Sequence, residues 1–193
     1  DINLQAGYLH SDDGIIYVSI DSSMSAELQE WWLEVFADAD SLIEPEFAIV
    51  SKSSPLSQLT VYQLQSDYTS EGGSGVYIGP SALIYQDGTV ERTSEARIEL
   101  GQSVYSHSIR FAESLEAGWK SVAYHELGHA MGLEHPHEWG DGDGNTIIDT
   151  NTTVMSYEQA VDADGSPGYT WLDVQALTYV HGAETGAVGI PVE

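Results

Sequence analysis

From Gly14 to Asp21 the chain reads GIIYVSID, a run rich in β-branched residues that predicts a strand ending in the polar stretch after Ile20. Leu28, Trp31, Trp32, Val35 and Phe36 then recur at i, i+3, i+4, i+7 and i+8, which places them on one broad face of a helix suited to lying on a sheet. EFAIVS, LTVYQLQ, VYIG, ALIY and ARIEL read as further strands, separated by Gly- and Ser-rich turns such as SEGGSG. GGSGVYIG, from Gly72, begins like a calcium-binding nonapeptide. Its sixth position is Tyr77 rather than Asp and there is one copy, so it reads as a turn entering a strand.

The second half changes character. AGWKSVAYHELGHAMG predicts a helix closed by Gly132, and the loop from Pro136 to Thr153 is longer than a structureless connection normally is. Something must hold it, or it is a working surface. WLDVQALTYVHG predicts a final helix with Thr170 as N-cap and Gly182 beyond its end. Trp171, Val174, Leu177 and Val180 repeat every third residue along it and are expected in the core.

Composition narrows the classes. At 193 residues and 41% hydrophobic, the chain suits a single domain, 1–193, with a sizeable core. It has no apolar run long enough to span a bilayer, and it starts at Asp1, so a mature or trimmed form is expected. Five Lys and Arg face 31 Asp and Glu, a net charge of -26, which repels phosphate backbones and anionic membranes. No nucleic-acid partner and no membrane insertion are expected. Such a surface suits a salty, marine-like setting in which ions screen its self-repulsion. The absence of cysteine removes disulfides, thiolate metal sites and cysteine nucleophiles, but leaves the compartment open.

One segment carries chemistry. His125 and His129 lie four apart on the predicted helix, so both imidazoles project from one face and can grip one zinc ion. Glu126 follows the first, where its carboxylate can reach a water at the metal without being a ligand. Gly132 can adopt positive φ, letting the chain turn off the helix and bring His135 back as a third ligand. The spacing H-E-x-x-H-x-x-G-x-x-H thus specifies a three-histidine site with an open position. His137 has the wrong offset, and His10, His107 and His181 read as surface or hydrogen-bonded residues.

With these residues the chain resembles the metzincin zinc endopeptidases. Pro136 after the third histidine, TVMSY around Met155 and LDVQALTYVHGA near the end are similar to the serralysin-like branch. The resemblance is strongest from Ser121 to Ala183. It implies an α+β, α/β/α-like fold: a twisted mixed sheet, an N-terminal backing helix, an active-site helix ending at Gly132 and a C-terminal helix. A zinc cleft is implied between an upper part, 1–132, and a lower part, 133–193. The resemblance also makes Met155 the Met-turn, an apolar floor under the metal. Tyr157 becomes a resting zinc ligand that swings to hydrogen-bond the reacting substrate. The family's usual C-terminal roll of calcium-binding repeats has no counterpart here, so a trimmed or minimal form is expected.

DGDGNTIID places Asp141, Asp143, Asn145 and Asp149 at positions 1, 3, 5 and 9 of an EF-hand-like loop, a candidate Ca2+ site. The match is partial, since Thr146 and Thr152 stand where Gly and Glu belong. The function expected is peptide hydrolysis by a zinc-activated water with Glu126 as general base. By family resemblance, the protein or peptide substrate lies extended along an edge strand, for which ALIY or its neighbours are candidates. A secreted bacterial monomer is expected. The competing reading is a metal-containing binding or adhesion module that cleaves nothing.

Overall fold

A computed structural model describes residues 8, 9, 11, 13–63, 75–78, 81–84, 90–93, 107–111, 117–136, 151–156 and 168–185. Of these, residues 63, 75–78, 81–84, 90–93, 107–111 and 117–120 are described by their backbone. The predicted strand is β1, Ile15–Ile20, and the amphipathic run is α1, Ala26–Asp40. Ser25 caps α1: its hydroxyl accepts from the Leu28 N–H at 3.3 Å, satisfying one of the donors a helix start leaves open. Leu28, Trp31, Trp32, Val35 and Phe36, the face read from the spacing, are all buried.

β2, Glu46–Ile49, follows α1 and runs parallel to β1, so β1, α1 and β2 form a crossover unit. β3, Leu59–Gln63, returns to the other side of β1, again in parallel. β4, Gly75–Ile78, comes next, and β5, Ser81–Ile84, pairs with β6, Val90–Thr93, in a separate two-stranded sheet. β7, His107–Phe111, lies between β3, to which it is parallel, and β4, to which it is antiparallel. The main sheet has the order β2-β1-β3-β7-β4, a mixed sheet with its antiparallel strand on one edge. ALIY therefore falls mostly in the small sheet, while its neighbour β4 forms the edge of the large one. ARIEL lies outside the described residues. The polar sequences of β6 and β7 gave no comparable strand signal.

The core is the junction of α1, the sheet and α2, Ala117–Ala130. Trp32, Phe36 and Phe47 stack in it, with Ile16, Val18, Leu59 and Val61 from the sheet and Tyr124 and Leu127 from α2. Tyr124 meets Trp31 edge-on at 5.9 Å, and its hydroxyl donates to Asp38 of α1. Burial, reinforced by that carboxylate, pushes the Tyr124 phenol well above its usual pKa. α2 also runs against β4, so the helix with the histidines borders the sheet edge.

α3, Trp171–His181, departs from the periodic reading. Leu177 is buried, but Trp171 is 63% exposed and Val174 and Val180 are only partly covered. A three-residue repeat falls about 60° short of a full turn at each step, so four such residues spiral around half the helix. The helix instead buries Asp173 and Leu177. Beyond it, Ile43 and Ala183 form an antiparallel bridge that ties the chain after α3 to the α1–β2 connection.

Candidate metal centre

α2 presents His125 and His129 one turn apart, their rings edge-to-face at 4.7 Å. The helix then ends in a double hydrogen bond: Gly132 N–H donates to His129 O at 3.0 Å and Leu133 N–H to Gly128 O at 2.9 Å. This is the Schellman arrangement, and it requires a residue at positive φ, which Gly132 supplies at +103°. A Cβ there would also lie 2.9 Å from the Tyr8 ring. The reversal carries the chain back over the helix end and delivers His135.

The three imidazoles converge. Nε2 of His125 lies 3.2 Å from Nε2 of His129 and 3.1 Å from Nε2 of His135, and the last pair is 2.9 Å apart. His125 Nδ1 lies 2.7 Å from Val154 O, and His129 Nδ1 lies 2.8 Å from Leu133 O. A carbonyl oxygen can only accept, so both Nδ1 atoms carry the proton and both Nε2 atoms present lone pairs. Two lone pairs at 3.2 Å repel unless a cation lies between them. Tetrahedral zinc with Zn–N of about 2.0–2.1 Å spaces its nitrogens at about 3.3–3.4 Å, slightly more than the spacing here. The donor set, geometry and tautomers fit zinc. Among the described residues this is the one group of three or more His, Asp or Glu whose ligand atoms lie close enough together for a metal.

Met155 is buried and lies against α2, where a Cβ on Gly128 would come within 2.6 Å of its sulfur. Gly128 thus has a packing reason to stand between the two helical histidines: it admits the methionine. Glu126 is buried on the same helix. Tyr157, Asp141, Asp143, Asn145 and Asp149 lie outside the described residues.

The spacing did not reveal Asp173. Its carboxylate is 1% exposed, and it accepts from Val154 N–H at 3.0 Å, from Thr170 N–H at 2.9 Å and from the hydroxyls of Thr170 and Thr153. It joins the start of α3 to the turn carrying Met155. A visible signal existed: Thr170 and Asp173 stand three apart at a helix start, as in a capping box. His181, at the other end of α3, hydrogen-bonds Met131 O at 2.8 Å and meets Tyr8 edge-on, in keeping with a satisfied polar residue.

No family model matches the chain. Serralysin A of Dickeya chrysanthemi is 26% identical over an alignment of 119 residues, which covers 48% of this chain and 25% of that protein. The chain resembles a metzincin-type zinc protease. The match spans about a quarter of the relative's length. Among solved structures, the chain is similar to high choriolytic enzyme 1, a hatching enzyme zinc-protease from the medaka fish Oryzias latipes. The TM-score is 0.49 at 13% identity, over 89% of this chain and 92% of that one. At His125, His129 and His135 the spacing of the sequence motif and the local geometry coincide.

Proposed function

We propose that this chain is a zinc-dependent endopeptidase, metzincin in type and serralysin-like in branch, that acts outside the cell. The observation that carries the reading is the convergence of three Nε2 atoms within 3.2 Å, two of them fixed as lone-pair donors by carbonyls behind the rings. His125, His129 and His135 would hold the zinc, which when bound lowers the pKa of the attacking water and polarises the scissile carbonyl. Glu126, next to the first ligand on α2, takes the proton from that water and returns it to the departing amine. Tyr157 hydrogen-bonds the substrate as the tetrahedral centre forms, and Met155 keeps the floor of the site apolar.

β4 binds the substrate. Among the described residues it is the edge strand next to α2, and an extended peptide running antiparallel to it would pair with its main-chain donors and acceptors. The charge of -26 favours basic and neutral peptides over acidic ones. Residues 133–193 form the lower wall of the cleft, and Asp141, Asp143, Asn145 and Asp149 hold Ca2+ in its loop. Secretion, bacterial origin and tolerance of salt accord with the acidic surface and the serralysin likeness.

Glu126→Ala separates binding from chemistry. The variant is expected to retain one zinc per chain while peptide hydrolysis falls by at least about 100-fold, as loss of a general base does. Hydrolysis undiminished in that variant rules out Glu126 as the base.

A further inference from the structure

The hydrogen bonds behind His125 form a continuous chain. His125 Nδ1–H donates to Val154 O at 2.7 Å. That carbonyl belongs to the peptide group whose N–H is on Met155, and the Met155 N–H donates to Thr153 Oγ1 at 3.1 Å. The Thr153 hydroxyl in turn donates to the Asp173 carboxylate. Every donor points the same way, from imidazole to peptide to hydroxyl to carboxylate. Thr153, Asp173 and Met155 are all buried, so little water competes.

We propose that Thr153 and Asp173 are positioning residues that act on His125 through the Val154–Met155 peptide, as an indirect carboxylate–histidine pair. Aligned hydrogen bonds polarise one another, and the effect is larger at low local dielectric. A carboxylate at the far end pulls the hydroxyl proton, makes Thr153 Oγ1 a better acceptor and polarises the peptide, leaving Val154 O more negative. The carbonyl then holds the Nδ1 proton more firmly, fixing the ring's orientation and raising the electron density at Nε2. Groups behind a ligating histidine influence the metal in this way. Asp173 also accepts directly from Val154 N–H at 3.0 Å, so the residue whose carbonyl faces His125 is held on both sides. The Asp173–Thr170 bonds make this arrangement part of the cap of α3, coupling the seating of that helix to the metal ligand on α2.

The inference rests on zinc occupying the three histidines, and its test separates the two claims. Zinc affinity is measured by competition with a chromophoric chelator. Thr153→Val keeps the side chain's volume but removes the hydroxyl, and is expected to weaken zinc binding by about 10-fold or more, within the range typical of lost groups behind a ligand. Thr153→Ser restores the hydroxyl and with it most of the affinity. Thr178→Val, which loses a hydroxyl of the same helix that bonds Val174 O at 2.8 Å and does not touch Asp173, leaves zinc affinity near wild type. Turnover of the zinc-loaded Thr153→Val chain falls with KM little changed. If Thr153→Val does not fold, Asp173→Asn takes its place with the same expected loss. Wild-type zinc affinity in either folded variant overturns the relay and leaves the zinc reading intact. A wild-type chain that takes up no zinc overturns both.

Discussion

At the scale of single residues, the site depends on glycines as much as on histidines. Gly128 sits in a helix, where alanine would ordinarily be favoured by about 1 kcal/mol. A Cβ there lies 2.6 Å from the buried Met155 sulfur, and overpacking of that kind costs about 1–3 kcal/mol. Gly128→Ala is therefore expected to lower stability in chemical denaturation and, by pushing Met155 and Val154 away, to weaken zinc binding. A stabilised variant with wild-type affinity would show that the methionine does not press on the helix. His125, His129, Gly132 and His135 could be read directly because their relation is local: helix period sets two ligands and one positive-φ residue sets the third. Thr153 and Asp173 could not. Their role depends on where α3 docks against a turn 20 residues earlier, and no local spacing encodes that. The capping pattern marked Asp173 as a helix-start residue but not its contact with the Met155 turn.

At the scale of elements, α1 was legible because its apolar positions follow the helical period closely, and all five are buried. α3 was misread because hydrophobic residues at a spacing of three do not share a face. Two positions of α3 give a direct comparison. Leu177→Ala is expected to cost about 2–5 kcal/mol, whereas Trp171→Ala, at 63% exposure, should change stability by less than about 0.5 kcal/mol in urea denaturation. Equal losses would mean that Trp171 is covered. The junction of α1 and β2 has a pH signature. Asp40 is buried at the end of α1 and accepts Phe47 N–H at 2.6 Å. Burial first, with Glu184 adding to it, raises its pKa, and the Phe47 bond only partly offsets this. A carboxyl whose folded pKa lies above its unfolded value contributes stability below the unfolded pKa, and that contribution is lost as pH rises through the folded one. The melting temperature of Asp40→Asn relative to wild type should therefore rise between about pH 4 and pH 7. A constant difference would mean that Asp40 ionises as freely folded as unfolded. Strand order was beyond the sequence, since β7 enters between β3 and β4 with a polar run, HSIRF, that carries little strand signal.

At the scale of the whole molecule, the chain combines a dense apolar core at the α1–sheet–α2 junction with an overall charge of -26. The helix that carries the histidines packs against α1 of that core and against β4, the edge strand of the main sheet among the described residues. The proposed peptidase would use this layout, with the histidines as ligands, β4 as a rail for an extended chain and the negative charge as a field against acidic substrates. A binding module on the same scaffold would need the rail but not the general base. The decisive measurement is therefore mass-spectrometric readout of a diverse peptide pool after incubation with the wild-type chain, the chelator-treated chain and the treated chain resupplied with zinc. Internal cleavages should appear with the wild type, vanish on chelation and return with zinc. A zinc-loaded chain that binds peptides from the pool but cuts none of them would contradict the endopeptidase reading and leave a metal-containing binding module.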